Sequence, residues 1–157
     1  MADRNIQHIF SDMDGTLLNG VGWVSERNAR CIRRSQIPLT LVSARAPMEM
    51  KEALEALNLT GPQVAFNGGL IYEYIDQEIH PLHVEIIHRN RARQILQEVR
   101  AHFPQVSLSY YDMKHWYCDT IDRGIRYEYE LTGQAPTQIF DEQDFLAARE
   151  NTFKIKL

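Results

Sequence analysis

The feature that most constrains the fold is an alternation of short apolar segments with stretches of helical periodicity in the N-terminal half. Apolar residues concentrate at 6–10, 37–42 and 64–66, which are lengths typical of strands. Between them, Ser25 can cap a helix that runs to about Ser35, and Pro47 can begin another. The second helix would bury a face with the spacing of Met50, Ala53, Leu54 and Leu57. Because strands joined by helices are parallel with right-handed crossovers, the pattern predicts an α/β protein with a parallel sheet.

Polar and small residues follow all three predicted strands. Asp12 and Asp14 follow the first strand, Ser43 follows the second, and Asn67 follows the third. Ligands of open parallel sheets bind outside the carboxyl ends of the strands, where these residues would meet. Each of the residues alone is also common in turns. Together with the two aspartates, the set predicts a binding site at this edge of the sheet.

Asp12 and Asp14 carry the clearest chemical signal. At a period of two, their side chains project to the same side of an extended segment, so the carboxylates are predicted to converge. Adjacent acids repel, and such a pair is best tolerated where a hard cation such as Mg²⁺ offsets the charge, or where one acid is a nucleophile and the other a proton donor. Gly15 allows a tight turn whose N–H groups can face an anion, and Thr16 adds a hydroxyl donor.

Composition narrows the function classes. The 157 residues are 44% hydrophobic and 24% charged, as expected for a soluble globular protein of one domain or two small ones. A net charge of −4 without a long basic run argues against a nucleic-acid partner. No apolar stretch is long enough to cross a bilayer or to form a signal peptide, so a cytoplasmic location and no membrane partner are expected. Cys31 and Cys118 cannot form a disulfide framework and are predicted to be reduced.

From Leu70 onward the pattern changes to a mixture of helices and antiparallel strands. Residues 70–75 and 78–82 flank Asp76-Gln77 and predict a hairpin, and Asn90 is predicted to cap a helix whose apolar face extends to Phe103. Further strands are predicted at 106–110, 115–117 and 152–157, and further helices at 122–131 and 140–149. Six aromatic side chains could line a substrate face, although a core role is the favoured interpretation: Tyr110, Tyr111, Trp116, Tyr117, Tyr127 and Tyr129.

The segment from Asp12 to Leu18 resembles the first motif of the haloacid dehalogenase (HAD) superfamily. Ser43-Ala44-Arg45 resembles the second motif, and Asn67-Gly68-Gly69 resembles the strand-three loop of Cof-type sugar-phosphate phosphatases. The resemblance implies part of a HAD-like, Rossmann-type three-layer core over residues 1–70. It also implies part of an α+β cap domain over residues 71–157, within which the chain would stop.

The resemblance further implies a role for each motif residue. Asp12 would be the nucleophile that forms an aspartyl-phosphate, and Asp14 would be the general acid and then the general base. Mg²⁺ would be held by Asp12 and by the main-chain carbonyl of Asp14. The implied function is Mg²⁺-dependent hydrolysis of small phosphorylated metabolites, sugar phosphates above all. The phosphate-binding or substrate-binding residues would be Gly15, Thr16, Ser43, Arg45, Asn67 and Gly68.

One position and two later motifs depart from the family pattern. Ala44 stands where the family usually has glycine, which removes freedom at positive φ and predicts weaker phosphate binding. The sequence lacks the lysine that screens the nucleophile and the Gly-Asp motif that completes the metal site, and residues 141–144 imitate that motif only loosely. The alternative function is therefore a catalytically impaired remnant or a regulatory module that binds phosphate without turnover.

Two further expectations concern competing functions and partners. A glycosyltransferase with a metal-binding Asp-x-Asp is disfavoured, because Gly15-Thr16 and the N-terminal position of the motif fit a phosphatase better. Family strands that would cover one edge of the segment 7–11 are missing from this sequence. An uncovered apolar edge is an association site, so we expect self-association, pairing with a complementary C-terminal fragment, or only marginal stability of the chain alone.

Overall fold

The structure, a computed structural model, describes residues 6–149 and 151–157. Its contacts divide the chain into two compact units, each of which has its own sheet. The first unit runs to Arg45 and includes Met50–Val84, and the second comprises Ala46–Glu49 and Glu85–Leu157. None of the helices in the described part of the chain combines the length and the apolar character needed to span a bilayer.

The first unit is built on short parallel strands. Strand β1 (Ile9–Ser11) pairs in parallel with β2 (Leu39–Leu41). A parallel bridge between Val42 and Val64 joins the end of β2 to β3 (Gln63–Ala65). The α/β fold with a parallel sheet, predicted from the alternation of periods, is therefore confirmed.

Two helices connect these strands at the predicted positions. Helix α1 (Glu26–Ser35) begins after Ser25, whose hydroxyl accepts a hydrogen bond from the Asn28 N–H at 3.2 Å. Helix α2 (Pro47–Leu57) begins at the proline, which has no N–H to leave unpaired in the first turn. The apolar face of α2 is buried as its spacing predicts: Met50, Ala53, Leu54 and Leu57.

Buried polar side chains tie β2 to the segment that leads into β3. Gln63 is 2% exposed; its Oε1 accepts the Leu41 N–H at 2.8 Å, and its Nε2 donates to the Gly61 carbonyl at 3.0 Å. Thr40 donates to the Pro62 carbonyl at 2.9 Å. Since a buried polar group without a partner is costly, these bonds favour one alignment of the two strands. The carboxyl ends of β2 and β3 are thereby held side by side.

An antiparallel hairpin completes the first unit, as predicted. Strand β4 (Leu70–Ile75) pairs with both β3 and β5 (Glu78–Val84). The turn residues Asp76 and Gln77 have φ values of 51° and 68°, the left-handed geometry that suits a tight hairpin turn. Tyr72 in β4 is fully buried, and this burial raises its pKa above the ordinary value.

The second unit is a four-stranded sheet with helices. Its strands are β6 (Ser109–Tyr111), β7 (Trp116–Cys118), β8 (Thr137–Gln138) and β9 (Lys154–Lys156), and its helices are α3 (Arg89–His102), α4 (Arg123–Thr132) and α5 (Glu142–Leu146). The strand order is β8-β7-β6-β9, in which the β7–β8 pair is parallel and the other two pairs are antiparallel. Tyr110 packs against Tyr117 and Phe145 with ring centroids 5.2 Å apart in both cases. These rings belong to the buried core of the unit, together with Ala92 and Leu96 of α3.

The boundaries of α3 differ from the sequence expectation. The helix begins at Arg89, and the residue at the capping position is His88, which makes no side-chain capping bond. The predicted cap at Asn90 is therefore wrong. Phe103 follows the last helical residue with a φ of −135° and is 55% exposed, because the chain has already left the helix and its inward face.

The elements near the end of the chain also differ in extent. Helix α5 is shorter than the predicted 140–149, because Asp141 caps its start by accepting the Asp144 N–H at 2.8 Å and Ala148 takes a positive φ of 58° beyond its end. Strand β8 was not predicted from the sequence. It is only two residues long, which is too short to show a period.

Candidate active site

The first motif forms a tight turn immediately after β1. Asp12 and Asp14 both lie beyond the strand, so their arrangement does not follow from a period of two. The Met13 carbonyl accepts the N–H groups of residues 16–18 at 2.9 to 3.3 Å, and the Met13 side chain is 1% exposed. Gly15 has a φ of 72°, which only glycine adopts at no cost. The turn, rather than strand periodicity, presents the two carboxylates on the same side of the unit.

The carboxyl ends of three strands line one open depression of about 600 Å³. The predicted site residues that line it are Asp12, Asp14, Ser43 and Asn67. The other lining residues are Phe10, Ser11, Val42 and Ala44. A concave surface at this edge is where open parallel sheets bind their ligands.

The Asp12 carboxylate is oriented but remains exposed. Its Oδ1 accepts the N–H of Met13 at 2.7 Å, which restrains the side-chain rotamer. The hydroxyl of Ser11 donates to the Asp12 main-chain carbonyl at 2.8 Å. Sequence reasoning missed Ser11, and its only signal was its place between the apolar strand and the acidic pair. An exposed carboxylate with a restrained rotamer is accessible to a ligand in the depression.

Ser43 is held so that its hydroxyl can still donate. The residue is 3% exposed, its N–H donates to the Val64 carbonyl, and its carbonyl accepts the Asn67 N–H, both at 3.0 Å. Its hydroxyl oxygen accepts the Arg45 N–H at 3.1 Å. A hydroxyl that accepts one hydrogen bond keeps its own proton for another acceptor. Ser43 can therefore donate to an oxygen of a bound anion.

The loop after β3 has a strained backbone that begins at a buried residue, Phe66. Phe66, Asn67 and Gly68 have φ values of 52°, 55° and 97°. A non-glycine residue in this region costs about 1 to 2 kcal/mol. Phe66 is 6% exposed and donates its N–H to the Arg45 carbonyl at 3.0 Å, so packing and a hydrogen bond hold the backbone in this form. The result is an exposed Asn67 side chain at the rim of the depression.

Arg45 forms an ion pair with Asp14. The guanidinium Nε lies 2.9 Å from Oδ2 of Asp14, and Nη2 lies 2.7 Å from Oδ1. The expectation from sequence was that a cation or a division of roles relieves the repulsion between the two aspartates. Because Arg45 places a positive charge against Asp14, the protein itself supplies part of that relief.

The remaining predicted residues lie outside the lining of the depression. Gly15 and Thr16 belong to the first-motif turn, and Gly68 belongs to the loop after β3. Ala44 does line the depression, but its φ is not positive. Alanine therefore causes no backbone strain at this position, and weaker phosphate binding stays a prediction.

The depression offers oxygen ligands of the type that a hard cation prefers, but fewer of them than such a cation needs. The Asp12 carboxylate and the Asp14 main-chain carbonyl are oxygen donors, which Mg²⁺ prefers. In the described residues, no group of three or more His, Cys, Asp or Glu side chains could hold a metal ion. The residues present therefore fit Mg²⁺ only as an incomplete set of ligands.

Known proteins match this chain along most of its length. The family model of the haloacid dehalogenase-like hydrolases matches residues 9–157. A curated protein of Haemophilus influenzae, described as “Putative phosphatase”, is 29% identical over 128 residues, which are 79% of this chain and 47% of the relative.

Solved structures show the same fold. A haloacid dehalogenase-like hydrolase from Bacteroides thetaiotaomicron has a TM-score of 0.77 at 22% identity, over 89% of this chain and 54% of that protein. A sugar phosphatase of HAD subclass IIB has a TM-score of 0.69 at 14% identity, over 92% of this chain and 55% of that protein. At such identities the likeness shows the fold alone. The chain spans about half the length of these relatives.

Proposed function

The chain belongs to the haloacid dehalogenase-like hydrolases, as its first motif indicated, and from this premise we propose that it carries the N-terminal part of a phosphatase active site. The observation that supports the proposal is the single depression lined by Asp12, Asp14, Ser43 and Asn67. The proposed substrates are small phosphorylated metabolites. Sugar phosphates are favoured, because one structural relative is described as a sugar phosphatase. Since the chain spans about half the length of its relatives, turnover by these 157 residues is itself part of the proposal.

In the first step, a carboxylate oxygen of Asp12 attacks the phosphorus of the substrate. The bond from phosphorus to the leaving oxygen breaks. Asp14, which must be protonated at the start of this step, gives its proton to that oxygen as the alcohol departs. Ser43 and Asn67 donate hydrogen bonds to phosphoryl oxygens from their hydroxyl and amide groups. The step leaves a phosphoryl group bonded to Asp12 and an ionised Asp14.

In the second step, water attacks the same phosphorus atom. Asp14 takes a proton from the water, the bond between phosphorus and the Asp12 oxygen breaks, and inorganic phosphate is released. Both carboxylates return to their starting protonation states. The two-step route avoids a direct attack of water on a poor leaving group.

Mg²⁺ is the proposed cofactor, held by the Asp12 carboxylate and the Asp14 main-chain carbonyl. When bound, a divalent cation would offset the negative charge of the phosphoryl oxygens. Because two protein oxygens make a sparse set for an ion that prefers six ligands, we expect weak binding and a site that is empty or filled with water without excess Mg²⁺. Calorimetry that gives a submicromolar dissociation constant would contradict this expectation.

Three further assignments belong to the proposal. Residues 1–70 would be the N-terminal part of the catalytic core, and residues 71–157 would be part of a cap domain that selects the substrate. The protein would act in the cytoplasm, without a nucleic-acid or membrane partner. It would associate with itself or with a complementary C-terminal fragment.

The deciding experiment measures hydrolysis of 4-nitrophenyl phosphate by the purified chain with and without Mg²⁺. Turnover that requires Mg²⁺ and slows in Asp14→Asn would support the phosphatase, because this variant can bind phosphate but cannot transfer protons. Phosphate binding by calorimetry without turnover would support the alternative, a module that binds phosphate and lacks activity. If the chain neither binds phosphate nor hydrolyses the substrate, both functions are rejected.

A further inference from the structure

The guanidinium of Arg45 holds the Asp14 carboxylate by both oxygens. The two bonds, at 2.9 and 2.7 Å, form a side-on bidentate pair, which restrains the plane of the carboxylate as well as its position. The Arg45 side chain is 15% exposed, whereas the Asp14 side chain is 59% exposed. The cation is therefore the more firmly packed member of the pair, and it presents the carboxylate at the surface of the unit.

The backbone on each side of the pair is also anchored. The Arg45 N–H donates to Ser43 Oγ at 3.1 Å, and its carbonyl accepts the Phe66 N–H at 3.0 Å. Asp14 follows the buried Met13, whose carbonyl is bonded to the turn. The ion pair thus connects two fixed segments, the first-motif turn and the loop after β2.

The Arg45 guanidinium contacts Asp14 and does not line the depression that would hold phosphate. Asp14, Ser43 and Asn67 line the depression, and Arg45 is not among its lining residues. Two of the guanidinium donors already contact Asp14. A phosphoryl group in the depression would meet the carboxylate that Arg45 orients, rather than the guanidinium.

We propose that Arg45 is a positioning residue that orients Asp14 for proton transfer, in place of the phosphate ligand that its motif implies. Proton transfer needs the donor or base within hydrogen-bond reach of the reacting oxygen, and small misplacements slow it strongly. The catalytic consequence rests on the proposed phosphatase function. The positioning contact itself can be tested without turnover.

NMR of the arginine side chains in the ¹⁵N-labelled chain tests the contact directly. Asp14→Asn should shift the Arg45 Nε–H resonance, because an amide oxygen is a weaker acceptor than a carboxylate. The matched variant Asp12→Asn should leave that resonance in place, and so should inorganic phosphate added to the unmodified chain. A resonance that phosphate moves and Asp14→Asn does not would overturn the proposal.

Steady-state kinetics on 4-nitrophenyl phosphate test the consequence. Arg45→Gln should lower kcat by about 10 to 100-fold with KM unchanged, and it should have no further effect when Asp14→Asn is already present. Arg45→Lys should restore little, because lysine keeps the charge but not the two-pronged geometry. A raised KM, together with an effect that adds to that of Asp14→Asn, would identify a phosphate ligand instead. If the unmodified chain shows no turnover, the proposed function fails, and the NMR result alone decides the role of Arg45.

Discussion

Two sets of polar side chains, one in each unit of this chain, lie in opposite environments. In the first unit, Asp12 and Asn67 lie exposed where strands end, around an open depression. In the second unit, Tyr110, Tyr117 and Cys118 lie within the sheet and are buried. Burial raises the pKa of Tyr117 to about 12, with a further contribution from the hydrogen bond that its hydroxyl donates to Asp112. A group with reactive chemistry is available to a ligand only where the ligand can reach it, which distinguishes the exposed set in the first unit from the buried set in the second.

The largest effect should come from the exposed carboxylate. Asp12→Asn should reduce phosphatase turnover by more than about 10³-fold, because an amide cannot attack phosphorus. The unfolding free energy should barely change, since the side chain is exposed. Turnover assays and denaturant unfolding measure the two quantities. Asp76→Asn, at the tip of the β4–β5 hairpin, is the matched control, and turnover retained by Asp12→Asn would reject the mechanism.

Replacement of the buried Phe145 ring in the second unit should lower stability, in contrast to Asp12→Asn, which should lower turnover. Phe145→Ala should lower the unfolding free energy by about 3 to 5 kcal/mol, because Phe145 is fully buried against Tyr110 and its removal leaves a cavity. Urea denaturation followed by circular dichroism would measure this. Phe140→Ala removes a ring that is 86% exposed and should cost little. An equal loss of unfolding free energy in Phe145→Ala and Phe140→Ala would contradict the assignment of Phe145 to the buried core.

The third prediction concerns the edge of strand β1 as a surface for association with another protein chain. Phe10 is 69% exposed, and β2 is the one strand that pairs with β1 in the described residues. We expect the chain to self-associate through this edge, and Phe10→Glu should shift it toward the monomer. Phe140→Glu, on the second unit, is the control and should not change the association. Light scattering that shows a well-folded monomer of the unmodified chain at high concentration would reject this prediction.

The smallest expected effect is the difference in thiol reactivity between the two cysteines, one in each unit. Cys31 is exposed on α1, whereas Cys118 is buried in β7 and burial raises its pKa to about 11. At pH 8, a thiol reagent should label Cys31 at once and Cys118 only as the chain unfolds.

The raised pKa of Cys118 also predicts a pH dependence of stability. The thiol ionises in the unfolded chain near pH 9, below its pKa in the folded chain. The contribution of this thiol to the free energy of unfolding should therefore be fully present below pH 9 and should be lost as the pH rises toward 11. Denaturation of Cys118→Ser across this range should show a smaller decline than the unmodified chain. The labelling experiment has its own contradicting outcome: if both cysteines react rapidly at pH 8, β7 is more open than the structure indicates.

Local sequence signals predicted most of the elements, because each signal depends on neighbouring residues alone. Ser25 and Pro47 mark the starts of α1 and α2, and Asp76-Gln77 marks the hairpin turn. The start of α3 and the strand β8 had no such signal. Helix α3 begins at Arg89, after His88, which makes no side-chain capping bond, and β8 is two residues long, so its pairing with β7 rather than a local pattern defines it.

The sequence by itself determined which chemical groups stand at the ends of the strands: Asp12, Asp14, Ser43 and Asn67. It also determined the family, because the first motif is a contiguous segment. Only the tertiary structure decided how these groups are oriented. The bidentate contact of Arg45 with Asp14 joins residues 31 positions apart, and the turn around Met13 replaced the strand geometry expected for the two acids. Contacts between distant residues depend on how the strands pair and on which side chains are buried, and no local pattern in the sequence records either.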